Sequence, residues 1–156
     1  MFAVEVYAAV RHFVFVEGNS RREAARIFGL SRETIDSFGL GYAPAARTAL
    51  KAHLSKLGFR DDELITSGML IGGDDIPTSY DRFRARVMFP IADTRGRIIA
   101  FGGRALEADV PAKYLNSPET PLFHKGHVLF NAARARPLAH VKGRVIAVEG
   151  YMDVVA

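Results

Sequence analysis

Cysteine is absent from all 156 residues, which excludes disulfides, cysteine-ligated zinc and thiol catalysis. No stretch approaches the roughly 20 consecutive apolar residues that span a bilayer. The apolar opening carries Glu5, Arg11 and His12 and lacks a basic start followed by a clean apolar run, so it does not read as a secretory leader. The P-loop, His-Glu-x-x-His and Gly-x-Ser-x-Gly signatures are missing as well. His12, His53, His124, His127 and His140 show no ligand spacing with a matching acid. What is present is ordinary for a soluble chain: 49% hydrophobic and 24% charged residues, with length for one domain, or one and a fragment. The net charge of +4 suits a polyanionic partner without requiring one.

The texture changes near residue 40. Before it, Val6, Tyr7, Val10, Phe13 and Val14 recur at helical spacing and line one face. Ser20-Arg21-Arg22-Glu23 has the form of a capping box that would open a helix over 21–28. Gly29 is placed as its left-handed end, and Ser31 as the cap of a short helix over 32–37. Further helices are expected over 45–57 and 61–67, and a loop over 71–79, which holds Gly72, Gly73 and Pro77. From Tyr80 the period becomes two: Phe83, Ala85, Val87 and Phe89 alternate with Arg82, Arg84, Arg86 and Met88. Asp93-Thr94-Arg95-Gly96 turns this strand into a second one over 97–101, giving a hairpin. Residues 111–126 read as a polar loop, and 144–148 as a short buried strand ending at Glu149-Gly150.

Four constellations could carry chemistry. Ala25, Gly29 and Ile35 have the spacing of a helix-turn-helix, with Arg21, Arg22, Arg26 and Arg32 within reach of phosphates; two packed helices with a solvated basic face fit equally well. Arg82, Arg84 and Arg86, with Arg97 and Arg104 near, would repel one another on one strand face unless an anion lay across them; Asp81, Asp93 and solvent could also balance them. The loop from Lys113 through Tyr114, Asn116 and Glu119 to His124 and Lys125 mixes cations, amides and aromatics, a combination that grips single-stranded nucleic acid or a nucleotide. Finally, Val145–Val148 would place Glu149 at the carboxyl end of a strand, where α/β ligand crevices lie. A carboxylate there suits Mg²⁺, though one acid is not a metal site. A helix-capping Glu149 is the ordinary alternative.

Taken together, the phrases Leu40-Gly41-Tyr42-Ala43-Pro44, Tyr80-Asp81-Arg82-Phe83-Arg84, Arg86-Val87-Met88-Phe89-Pro90-Ile91, Phe101-Gly102-Gly103-Arg104, Lys113-Tyr114-Leu115-Asn116-Ser117-Pro118-Glu119-Thr120, Phe123-His124-Lys125-Gly126 and Val148-Glu149-Gly150-Tyr151-Met152-Asp153 resemble the catalytic core of bacterial DNA primases of the DnaG type. The resemblance runs from about residue 29 to 156. It implies an α+β chain: a helix-turn-helix-like segment (1–36), a mixed small α/β subdomain (37–142), and the first strand and helix of a Toprim fold (143–156).

It also implies metal-dependent synthesis of RNA primers from NTPs on single-stranded DNA template, in the cytoplasm at the replication fork. Mg²⁺ or Mn²⁺ is the implied cofactor and no zinc is expected. The implied catalytic and metal-binding acid is Glu149, supported by Asp153. Arg82, Arg84, Arg86, Arg104, Lys113, Tyr114, Asn116 and Lys125 would form the nucleic-acid and nucleotide surface. The family's replicative helicase partner binds a domain not expected here, and no membrane partner is expected. Because the family's later Asp-x-Asp acids do not follow, the chain by itself is expected not to extend primers. Residues 14–34 also resemble the helix-turn-helix of insertion-sequence transposases of the IstA type. The alternative is therefore a helix-turn-helix DNA-binding protein with a passenger primase segment, joined within Gly29–Ile35.

Overall fold

Val6, Tyr7, Val10 and Val14 are all buried, the first three on helix α1 (Phe2–His12), as their spacing requires. A computed structural model of the protein describes residues 2–14, 26, 28–107 and 109–155. The expected capping box and helix over 21–28, and with them most of the helix-turn-helix, lie outside the described residues. The part that is described behaves as expected. Gly29 has φ +63, and helix α2 (Arg32–Phe38) is capped by Ser31, whose hydroxyl accepts the Thr34 N–H at 3.0 Å.

A four-stranded antiparallel sheet follows, in the order β1 (Gly41–Ala43), β4 (Arg86–Ala92), β5 (Ile98–Ala105), β6 (Tyr114–Asn116). Alternation divides its side chains between two cores. Met88, Phe101 and Ala43 join α1 together with Leu50 and Leu54 of α3 (Ala49–Lys56) and Leu64 of α4 (Asp61–Thr66). Val87 and Phe89, on the opposite face, pack with Ile35, Leu40 and Val155, the last from α6 (Tyr151–Val155). Between them, α5 (Ala132–Lys142) carries Pro137 and leaves Leu138 and Val141 in solvent; without an apolar stripe it went unmarked in the sequence.

Four expectations change. The helix expected over 45–57 is shorter, Ala49–Lys56, because its amino end is satisfied from a distance rather than by a local cap. The Asp81 carboxylate accepts the N–H groups of Leu50 (2.8 Å) and Lys51 (2.9 Å), while Thr48 makes no side-chain cap bond. The loop expected over 71–79 is instead a hairpin, β2 (Leu70–Gly73) and β3 (Ile76–Asp81), reversing at Asp74-Asp75. Its glycine content reflects close packing: a Cβ on Gly72 would stand 2.5 Å from Ile65 Cδ1. Each strand of a two-stranded ribbon has an open side, which accommodates Pro77.

The arginine-bearing strand begins only at Arg86, because Ala85 takes φ +48 and breaks the alternation. That is the left-handed region, disfavoured for alanine by roughly 1–2 kcal/mol. Phe83 consequently turns into the α1 core rather than lining up with Val87 and Phe89, and Arg82, Arg84 and Arg86 do not share a strand face. Last, 144–148 is not a buried strand. It runs exposed, Val145 at 72% and Ile146 at 81%, and no described strand pairs with it; a strand exists only through its neighbour's hydrogen bonds.

Two outcomes follow. Asp81→Ala orphans two helix-start N–H groups in a buried place and should lower stability by about 2 kcal/mol, read by denaturant melting. Asp61 is bonded by the Lys51 ammonium at 2.7 Å and the Ser79 hydroxyl at 2.6 Å, which hold its carboxyl below the ordinary range. The stability lost in Asp61→Asn should therefore be full above about pH 4 and shrink as the pH falls through the depressed value. Paired melts of the two proteins between pH 2 and 7 check this.

Candidate nucleic-acid interface

Register places three of the proposed binding residues together. Arg104 pairs with Val87 on one side and Tyr114 on the other, and Gly102 pairs with Phe89 and Asn116. Arg104, Tyr114 and Asn116 thus share the sheet face on which α6 lies. The Arg104 guanidinium sits 4.5 Å above the Phe28 ring and 5.6 Å from that of Tyr114, a cation held between aromatic surfaces. Its Nε is buried with no hydrogen-bond partner. Tyr114 is 46% exposed, leaving ring surface open on which a base can stack.

The acid-bearing turn is brought to this face by Tyr151. Its ring stacks on Phe89 (centroids 5.2 Å apart, 15°) and meets Phe130 edge-on at 4.8 Å. Gly102 lies beneath it, and a Cβ there would come within 2.6 Å of Tyr151 Cε2. The hydroxyl donates to Asn116 Oδ1 at 2.7 Å, and burial pushes the phenol above its ordinary pKa, so it stays a donor. Glu149, two residues earlier, is exposed. Asp153 is occupied at the start of α6, where its Oδ2 accepts the Gly150 N–H at 2.9 Å.

The remaining cations are placed differently. Arg86 lies on the opposite sheet face, over Gly103, and donates to the Lys113 carbonyl at 3.3 Å, tying the strand to the start of β6. The Lys113 side chain is exposed. Arg84 donates to the Asp81 carbonyl, and its guanidinium lies 5.0 Å from the Tyr80 ring, whose face Arg47 also covers at 4.0 Å. Burial lowers the pKa of Arg82, and of Arg86 with help from the Arg84 charge. Arg82 Nε, like that of Arg104, has no partner. Such half-buried cations without a carboxylate are sites where an anion is welcome. Lys125 is exposed in a 3₁₀ turn (Lys125–His127). Its N–H and the His124 ring are both held by Glu119, at 3.0 and 2.9 Å, the Lys125 N–H contributing most to keeping that carboxyl below its ordinary pKa. Phe28 and Arg47 were not anticipated from the sequence; nothing in their spacing marks them, since each finds its partner across the fold.

The donor set can be tested against Mg²⁺ or Mn²⁺. Among the described residues no three His, Asp or Glu side chains converge. Glu149 beside an engaged Asp153 falls short of the oxygen shell either ion requires. Nor is any described helix long and apolar enough to cross a membrane.

A mixed α+β core with a cation–aromatic face does not by itself assign a function, and the family comes from comparison with known proteins. The chain is 52% identical over 128 residues to the DNA primase of Pseudomonas putida, covering 82% of this chain and 19% of that protein. It superposes on a DnaG primase catalytic domain bound to single-stranded DNA, with TM-score 0.83, 41% identity, and coverage of 99% of this chain and 49% of that one. It also superposes on the RNA polymerase domain of Mycobacterium tuberculosis primase in complex with a double-stranded DNA oligomer bearing an overhang, with TM-score 0.87, 29% identity, and coverage of 99% and 50%. The family model for the DNA primase catalytic core, N-terminal domain, matches residues 17–136, and the chain belongs to that family. It spans about a fifth of the length of the curated relatives it matches.

Gly102→Ala should push Tyr151 off the sheet, cost about 1–3 kcal/mol by overpacking, and speed amide exchange across 151–155 more than across α1. An unchanged exchange pattern would show that α6 is held by something else.

Proposed function

We propose that this chain is the template-gripping part of a primase core, which makes short RNA primers on single-stranded DNA by nucleotidyl transfer from NTPs. The observation that carries the reading is the shared sheet face: Arg104 between Phe28 and Tyr114, with Asn116 bonded to the tyrosine that follows Glu149. Guanidinium and aromatic surfaces grip a strand without reading its sequence. Support comes also from the superposition on a DnaG domain whose structure holds single-stranded DNA. In this reading the exposed Lys113 and Lys125 add positive charge beside that face, while Arg82, Arg84 and Arg86, which lie off it, would meet the strand only at the rim.

Glu149 is the acid we assign to phosphoryl chemistry, with Asp153 beside it. Mg²⁺ or Mn²⁺ is the ion the family resemblance brings, and its ligands beyond Glu149 have to be other oxygens, with Asp153 in a supporting place. The helicase partner and the location at the replication fork belong to the same reading. The transposase-like helix-turn-helix is the weaker one: the primase family match begins at residue 17, inside that segment.

Fluorescence anisotropy with labelled oligonucleotides tests the proposal. The protein should bind a single strand more tightly than a duplex of equal length. Charge reversal at Arg86, Arg104, Lys113 or Lys125 should weaken binding and flatten its salt dependence. Duplex preference lost on changing Arg32 would favour the helix-turn-helix reading instead. Incubated with template, NTPs and Mn²⁺, the chain alone should yield no labelled oligoribonucleotide, because its described residues hold no carboxylate cluster.

A further inference from the structure

We infer that Tyr151 is a positioning residue for the strand-binding face: its hydroxyl fixes the amide of Asn116 so that the NH₂ group, not the carbonyl, is offered to the bound strand. The inference rests on the proposed single-strand binding and deepens it. An asparagine side chain has two donors and one acceptor group, and free rotation would present either end to a ligand. Here the acceptor end is taken, because Tyr151 Oη donates to Asn116 Oδ1 at 2.7 Å.

The tyrosine cannot easily let go. Its ring is clamped between Phe89, Phe130 and the bare backbone of Gly102, and Gly102 is the direct cross-strand neighbour of Asn116. The hydroxyl therefore reaches the amide from a fixed point one strand away. With Oδ1 turned inward, Nδ2 is left with two N–H donors on the face that carries Arg104 and Tyr114. Donors there suit phosphate oxygens and base-edge acceptors; a carbonyl would repel them. The amide is neutral and neutralises no phosphate charge, so this contact adds affinity without adding to salt dependence.

The bond has a second effect. Tyr151 is two residues from Glu149, and the same hydroxyl links the strand-holding edge β6 to the turn that bears the acid. The Glu149 side chain itself is exposed; what the bond anchors is the chain two residues beyond it.

A double-mutant cycle separates this role from mere packing. Single-stranded oligo(dT) affinity is measured for the wild type, Tyr151→Phe, Asn116→Ala and the double variant, over a range of salt. Asn116→Ala should weaken binding about 3- to 10-fold, the worth of a neutral hydrogen bond. Tyr151→Phe, which keeps the ring, should lose a comparable factor, and the double variant no more than Asn116→Ala alone. The salt slope should stay at the wild-type value in all three, in contrast to the charge-reversal variants. Asn116→Asp keeps the acceptor for Tyr151 but removes both donors and should weaken binding more than Asn116→Ala.

Wild-type affinity in Tyr151→Phe beside a loss in Asn116→Ala would reduce Tyr151 to a packing residue. Independent, multiplying losses would overturn the coupling, and so would no loss in any variant. A wild-type protein that ignores single strands would overturn the functional proposal, and this inference with it. Thermal melting of each variant identifies a loss of binding that is only a loss of fold.

Discussion

One ring resting on one glycine holds the candidate site together. The Tyr151 side chain lies where a Cβ on Gly102 would stand, stacked against Phe89, and through this contact the turn bearing Glu149 meets the central sheet. α6 is only five residues long, too short to be stable by itself. Its position is set by what Tyr151 and Val155 bury. The glycine makes the approach possible, the aromatic cluster makes it favourable, and the Asn116 hydrogen bond gives it an orientation.

The sheet divides its labour by face. One side is sealed by α1, α3 and α4 into an apolar core with few polar atoms, among them the Tyr7 hydroxyl, which donates to the Ser67 carbonyl at 2.7 Å. The opposite side is covered only in part, and there a guanidinium, a phenol and an amide stand in register on adjacent strands. Strand alternation thus separates the apolar core from the face proposed for recognition. Arg86 belongs by its parity to the sealed side, and it escapes to the rim only because Gly103 leaves room for its stem.

Much of this was legible in the chain. Helical spacing marked the buried side of α1, Ser31 and Gly29 marked the entry to α2, and Asp93–Gly96 marked the β4–β5 turn, where the Gly96 N–H does bond the Asp93 carbonyl at 3.0 Å. The loop holding Lys113, Tyr114 and Asn116 was marked by its chemistry, although the short strand inside it was not. Failures came where tertiary packing overrides pattern. Period two ran through Arg82–Arg86, yet Ala85 adopts a backbone conformation that no local rule assigns to alanine. The glycines of β2 read as loop because their reason, the nearness of Ile65, lies in another element. Phe28 and Arg104 are far apart in the chain, and only the fold stacks them. The β-branched run at 144–148 has strand composition without a described partner, and composition does not supply one.

The cap that Asp81 places on α3 from thirty residues away bears on the order of folding. A helix of eight residues whose amino end depends on the far strand of a hairpin cannot mature before that hairpin docks. α3, β2 and β3 should therefore open and close as one cooperative unit, and amide protection at Leu50 and Lys51 would report on the closure of a strand they do not belong to.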